Sequence, residues 1–252
     1  MKTLNYSSSY LKKYNDLGWV KIDNFFNNKE LLDLKKETFI FLKKNFKKYR
    51  GKDINFAKNA KKYREINSFH KLQDCKYIKK IGKQIAKSNL IYSFLKKKKG
   101  ELKAAEYFAK PARIGLYSPV HQDNFYWNVK NNNALTIWVA LNSSSKKNGG
   151  VFYYDKSHKI GLLNHTNSFA KGSSQKIKNE KILQNYQKSF PTLKPGDALI
   201  HHVLVAHGSM NNKSSKPRKG VTFQFKDKSA QYDLKKIKLY KRNLKLQIEK
   251  RK

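Results

Sequence analysis

The chain has 252 residues, 38% of them hydrophobic, and a formal net charge of +39. That is enough apolar content for one sizeable core with helical decoration. The single cysteine, Cys75, excludes an intrachain disulfide and any cysteine-based zinc cluster, and no apolar run approaches membrane-spanning length. The opening Met1-Lys2-Thr3-Leu4-Asn5-Tyr6 lacks an apolar signal core, so the expectation is a soluble cytoplasmic protein that does not contact a membrane.

Taken in chain order, residues 29–49 have helical periodicity, with Leu31, Leu32, Leu34, Phe39, Phe41 and Leu42 set among lysines. Residues 77–96 read as a second helix, with Ile78, Ile81, Ile85, Ile91 and Leu95 as its apolar points. From Leu102 to Phe225 the pattern turns to strands separated by Gly, Asn, Ser and Pro loops. Within it, Pro119 punctuates the approach to a strand, and Val203-Leu204-Val205-Ala206 reads as a buried one. The Ser/Lys/Asn-rich stretch 164–188 is a plausible lid, and 229–252 reads as a lysine-rich helix or frayed tail. Helices followed by strands fit a barrel or sandwich backed by helices. The chain therefore divides into helical support at about 27–98, a β core at about 102–226 and a basic tail at about 229–252. All three parts belong to one domain, 1–252, without internal repeats.

Two short segments carry the chemistry. One is His121-Gln122-Asp123, and the other runs from His207-Gly208-Ser209 to Arg218. Alternate residues of a strand point the same way, so His121 and Asp123 can grip one ion from one strand face. His207 would bring the third ligand from elsewhere. Two imidazoles and a carboxylate on one face of an octahedral ion leave the opposite face open, the pattern of non-haem Fe(II) oxygenases. A 2-oxo diacid bound there needs a cation for its far carboxylate, and the planar fork of Arg218 matches it. His-x-Asp alone is common by chance, so its neighbours matter. Adjacent His201 and His202 turn to opposite faces of a strand, and neither is read as a ligand. His158 and His165 fall on loops with structural roles.

An ordered series of matches from about Gly18 to about Phe225 resembles the phytanoyl-CoA dioxygenase family of Fe(II)/2-oxoglutarate oxygenases. Gly18-Trp19-Val20-Lys21-Ile22-Asp23-Asn24-Phe25-Phe26 and the following helix look like the family's opening strand and helix. His121 to Trp127 looks like its first metal motif, and Leu135 to Leu141 like the central strand that follows. Asn148-Gly149-Gly150, Ser157-His158-Lys159, Gly196-Asp197-Ala198 and His202 to Arg218 match the later turns and strands. One departure is Asp155-Lys156 before Ser157-His158, where the family commonly has Pro-Gly. The carboxylate of the first motif is present, which argues for oxygen insertion and against a halide site.

The resemblance implies a mainly β fold with flanking α-helices, a double-stranded β-helix (jelly-roll, cupin-like) barrel. It implies Fe(II) held by His121, Asp123 and His207. It also implies 2-oxoglutarate held by Arg218 and Ser209, with Lys110 as a possible second cation and Trp138 as part core and part wall. Tyr117, Tyr126 and His202 are candidates for the substrate pocket. The implied activity is hydroxylation of a small organic substrate, with release of succinate and CO2. Two other readings stand beside it: a noncatalytic binding protein on a degenerate barrel, and a protein directed to an anionic ligand or nucleic acid. Of 56 basic residues only six are Arg, and the lysines are spread along the chain except in the stretches 43–48 and 96–99 and the C-terminal tail. No nucleic-acid-binding motif accompanies them, so nucleic acid is not the expected partner, and the lysines read first as a solvated surface. A surface tuned to an anionic small molecule is the functional reading of the same charge. Substrate identity and oligomeric state are not legible.

Overall fold

The structure is a computed structural model that describes residues 8–57 and 62–250. Helix α1, Ser8–Leu17, leads through Gly18 into strand β1, Trp19–Ile22. Helix α2, Asn28–Asn45, starts where Asn27 accepts from the Glu30 amide and the Glu30 carboxylate accepts from the Asn27 amide. This reciprocal cap satisfies donors that a helix start leaves open. Leu31, Leu34, Thr38 and Leu42 form the buried stripe of α2. Two short strands follow, β2 at Ile54–Phe56 and β3 at Ile66–Phe69. The helix expected over 77–96 is two helices, α3 at Lys76–Ala86 and α4 at Asn89–Phe94. The break falls at Ser88, whose hydroxyl caps α4 by accepting from the Ile91 amide.

The long strand β4 spans Gly100–Lys110 and β5 spans Ser118–His121, followed by the short helix α5 at Asp123–Trp127. Next come β6, Ala134–Ala140, and β7, Val151–Tyr154. The stretch 164–188 carries a hairpin of β8, His165–Ala170, and β9, Ser173–Ile177, and then reaches β10, Lys188–Ser189. Three strands complete the sheets: β11 at Ala198–His202, β12 at His207–Ser209 and β13 at Arg218–Asp227. The tail forms helix α6, Leu234–Glu249, packed against α5 and β8.

The strands assemble into a seven-stranded antiparallel sheet, ordered β1-β11-β6-β13-β4-β3-β2, and a four-stranded one, ordered β10-β7-β12-β5. Every residue of β6 is buried because the sheet is covered on both sides. Ile137 and Val139 face a core shared with Leu34, Leu42, Ile78 and Ile85 of α2 and α3. Trp138 and Ala140 face a second core with Val151 and Tyr153 of the smaller sheet. Period-two alternation thus sends one set of side chains to the helices and the other between the sheets. This is a mainly β jelly-roll of the cupin type with flanking helices. Its two sheets oppose one another as a sandwich rather than closing into a ring among the described residues. The helical support expected at 27–98 also contributes β2 and β3 to the large sheet, through the pairing of β3 with β4. No helix among the described residues is long and apolar enough to cross a membrane.

Gly220 of β13 leaves the slot in which the Trp138 indole lies. A Cβ there would stand 2.1 Å from Trp138 Cζ2. Gly220→Ala should displace the indole and destabilise the fold by about 1–3 kcal/mol, the usual cost of overpacking a tight interior. The shift of the urea midpoint relative to the wild type measures it.

Candidate metal and co-substrate site

His207 sits directly opposite His121 in the antiparallel pairing of β12 with β5. Facing residues of such a pair bring their side chains within about 5 Å, and here the ring centroids are 4.3 Å apart. The strand ends at His121, so Asp123 does not share it as the alternation argument expects. It opens α5 instead. Gln122, fully buried between them, fixes this exit. Its side-chain amide donates to the carbonyls of Gly161, 2.8 Å, and Leu204, 2.6 Å, and its oxygen accepts from the Leu163 amide, 2.7 Å.

One ligand atom from each of His121, Asp123 and His207 lies within 4.8 Å of the others. Both imidazoles are oriented through the nitrogen that faces away from this point. His121 Nδ1 meets the Pro119 carbonyl at 2.7 Å, and His207 Nδ1 meets the Val205 carbonyl at 3.1 Å. A carbonyl partner requires Nδ1 to carry the proton, which leaves each Nε2 lone pair free. Asp123 Oδ1 lies 3.7 Å from His121 Nε2 and 3.8 Å from His207 Nε2. Its other oxygen, Oδ2, accepts from Thr136 Oγ1 at 2.7 Å and from His201 Nε2 at 3.1 Å. His201 is itself held by Tyr153, whose hydroxyl lies 3.0 Å from His201 Nδ1.

Burial lowers the pKa of His121 and drives that of His207 well down, so both are neutral at pH 7. Burial opposes charge on Asp123 too, but the hydrogen bond from His201 leads the contributions that hold the carboxyl below the usual carboxylate range. Two neutral imidazoles and one carboxylate, with lone pairs converging, form a donor set ready for a divalent ion.

The three residues line a cavity of about 500 Å³ between the sheets. Arg218, Ser209 and Trp138 line the same cavity. The buried Arg218 guanidinium lies 5.2 Å from the Trp138 ring centroid and donates through Nε and Nη2 to the Gly149 carbonyl, at 3.3 and 3.2 Å. It has no carboxylate partner among the described residues, and burial pushes its pKa down to about 10. Lys110 is paired in register with Arg218, yet its ammonium turns to the Leu116 carbonyl and stays out of the cavity lining. Burial and the neighbouring guanidinium both hold its pKa well below that of an ordinary lysine.

Of the three substrate-pocket candidates, the structure brings only Tyr126 to the cavity. Tyr117 is exposed at 48% and lies outside the lining. His202 faces the other side of β11, where its ring centroid lies 6.0 Å from that of Tyr14 and 5.6 Å from that of His158. The expected alternation of His201 and His202 is present, but the inward-facing member is His201. Its signal was available in the Cα pairing of His201 with Thr136, which only the sheet register supplies. His165 begins β8 rather than lying in a loop, accepts from the Gln122 amide at 3.1 Å and stacks on Phe125. His158 sits in a 3₁₀ turn, Ser157–Ile160, against Asn15. Sequence reasoning missed His70, Lys103, Glu106, Gln224 and the α6 residue Leu244, all of which line the cavity.

Fold and side-chain arrangement together define a jelly-roll protein with a facial His-Asp-His set and a buried arginine in one cavity. The family model described as phytanoyl-CoA dioxygenase (PhyH) matches residues 14–220, and the chain belongs to that family. It is 34% identical over 113 residues to 1-deoxypentalenic acid 11-beta-hydroxylase of Streptomyces exfoliatus, a match covering 43% of this chain and 40% of that protein. It is 27% identical over 124 residues to peroxisomal phytanoyl-CoA dioxygenase of Mus musculus, covering 46% of this chain and 36% of that one. These matches thus span less than half the length of either relative. The crystal structure of EctD from S. alaskensis with 2-oxoglutarate and 5-hydroxyectoine superposes with a TM-score of 0.73 at 17% identity. That superposition covers 92% of this chain and 80% of EctD.

Burial holds the pKa of His202 down to about 3, against an ordinary 6.5. The unfolded chain therefore takes up a proton as pH falls through 6.5, while the folded one stays neutral to about 3. Stability should drop across that window by up to about 1.4 kcal/mol per pH unit for this group. His202→Gln should flatten the dependence of the urea midpoint between pH 6.5 and 4 and should leave metal affinity unchanged, because His202 faces away from the three ligands.

Proposed function

We propose that the chain is an Fe(II)- and 2-oxoglutarate-dependent dioxygenase that hydroxylates a small organic substrate. The balance is one substrate C–H, 2-oxoglutarate and O2 converted to the alcohol, succinate and CO2. The observation that carries the reading is the presence, in one cavity, of three converging metal donors and a buried guanidinium without a carboxylate partner. Iron with its co-substrate would supply the oxidising chemistry.

The roles of the chain's own residues follow from their placement. His121, Asp123 and His207 would hold the metal through two Nε2 atoms and Oδ1. Thr136 and His201 hold Asp123 Oδ2 and so aim Oδ1. Arg218 and Ser209 would hold the distal carboxylate of 2-oxoglutarate, with Trp138 as the wall beside the guanidinium. The opposed sheets and α6 form the walls of the cavity around these residues. Lys110 in this reading holds the Leu116 carbonyl and takes no part in binding the co-substrate. The alternative of a noncatalytic binding protein is disfavoured by the complete donor set with its tautomers already oriented. The whole chain, 1–252, would act as one oxygenase domain, a reading supported by cavity-lining residues that range from Gly51 to Ile248. A cytoplasmic setting accompanies it, supported by the lone, unpaired Cys75.

His121→Ala, Asp123→Ala and His207→Ala should each abolish Fe(II) binding and succinate formation, while far-ultraviolet circular dichroism stays that of the wild type. Full turnover in Asp123→Ala would remove the assignment.

Arg218→Ala should raise the apparent Michaelis constant for 2-oxoglutarate about 30-fold or more. Truncating one partner of a buried charge pair costs about 2–5 kcal/mol, at roughly 1.4 kcal/mol per tenfold. Pyruvate, which lacks the distal carboxylate, should lose far less. Anaerobic titration of the metal-to-ligand absorbance with each acid makes the comparison, and unchanged 2-oxoglutarate affinity in the variant would move the anchor elsewhere.

A further inference from the structure

Lys103 occupies an irregular position in β4. The register pairs Gln224 with Ala104 and Phe225 with Leu102, so Lys103 is the extra residue of a bulge. By simple alternation it would share a face with Ala105, Tyr107 and Ala109, which lie in the core beneath the helices. The bulge turns it to the opposite face, where it lines the cavity with Ala104, Glu106 and Phe108. Its ammonium lies 4.8 Å from the Trp127 ring centroid.

This half-buried cation has no acidic partner among the described residues. Two carboxylates, Glu106 and Asp123, act on it through their fields, and both are engaged elsewhere. Glu106 Oε1 meets His70 Nδ1 at 3.0 Å, and Oε2 accepts from Gln224 at 2.8 Å. Asp123 is held by Thr136 and His201 and turned toward the two histidines. Burial lowers the Lys103 pKa despite those two fields, and a bound anion would restore it. The lining also holds an apolar strip of the Trp127 and Tyr126 rings with Leu244 and Ile248 of α6, flanked on α6 by Tyr240 and Lys241.

Resting on the oxygenase reading, we propose that Lys103 is the anchor for an anionic group on an otherwise apolar substrate. The carboxylate or phosphate seats on its ammonium, and the apolar body lies along Trp127, Tyr126 and the inner side of α6. The substrate class is an amphiphilic organic acid or phosphate ester. Lys103 then decides which molecule enters and how it is oriented, while Arg218 serves the co-substrate.

The test is calorimetric titration of the Fe(II)- and 2-oxoglutarate-loaded protein, without oxygen, with decanoate, decanamide and decyl phosphate. The wild type should bind the anions at least about tenfold tighter than the amide, roughly 1.4 kcal/mol. Lys103→Met should bind all three alike, and Lys103→Arg should keep the preference. The order of decanoate and decyl phosphate tells a carboxylate from a phosphate ester. No binding of either anion, wild-type affinity for both anions no higher than for decanamide, or a preference that survives in Lys103→Met would overturn the proposal. The metal-to-ligand absorbance of the same samples separates the two readings. If that band never forms in the wild type, the oxygenase assignment has failed; if it forms at wild-type affinity in Lys103→Met without any anion preference in the wild type, only the Lys103 assignment has.

Discussion

The direct pairing of His121 with His207 across β5 and β12 is the constraint on which the site depends. These two imidazoles face one point because their strands are neighbours in this register. A slip of one residue would turn one of them out of the cavity. The pairing is held from both sides. β7 fixes β12 from its other edge, with Tyr153 opposite His207, and the buried Gln122 ties the end of β5 to Gly161, Leu163 and Leu204. The carboxylate is the one donor that does not come from a strand of this small sheet. It is brought in by α5 and tied by Oδ2 to Thr136 and His201 of the large sheet. The site is therefore the place where the two sheets are stitched together.

That stitching explains why the large sheet must be buried on both faces. Helices α2 and α3 cover one face with Leu and Ile, and the other face is given to Trp138, Thr136, Arg218 and Gln224, which line the cavity or its rim. Rigid strands hold these groups more precisely than loops would. Gly220 belongs to the same scheme, because its missing side chain is what lets the indole lie flat beside the guanidinium.

Charge inside the molecule is organised differently from charge on its surface. Most of the lysines are dispersed and solvated, and the net +39 says little about the site. Three interior cations matter more. Arg218, Lys110 and Lys103 all lack an acidic partner among the described residues, and burial lowers the pKa of each. Buried charge without a counter-ion is costly unless something arrives to neutralise it. Arg218 and Lys103 face the cavity, and Lys110 does not.

The sequence by itself determined the chemical inventory: His121, Asp123, His207, Ser209 and Arg218 could be named from residue type, spacing and a resemblance carried by ordered motifs. It also determined the broad order of helices and then strands, because a 3.6-residue period is local, although Leu32 of the apolar set expected on α2 is exposed and Thr38 is buried in its stripe. What only the tertiary structure decided depends on contacts between distant residues. Alternation says that His201 and His202 face opposite ways, but only the pairing of β11 with β6 says which one faces in. A bulge in β4 turns Lys103 inward, and no period reveals a bulge. Helix α6 lines the cavity although its sequence reads as a basic tail, since its partners on α5 and β8 lie far away along the chain. Lys110, although opposite Arg218 in register, turns its ammonium to the Leu116 carbonyl and stays out of the cavity lining. Local patterns record propensity and face, whereas register, bulges and docking are settled by which surfaces meet.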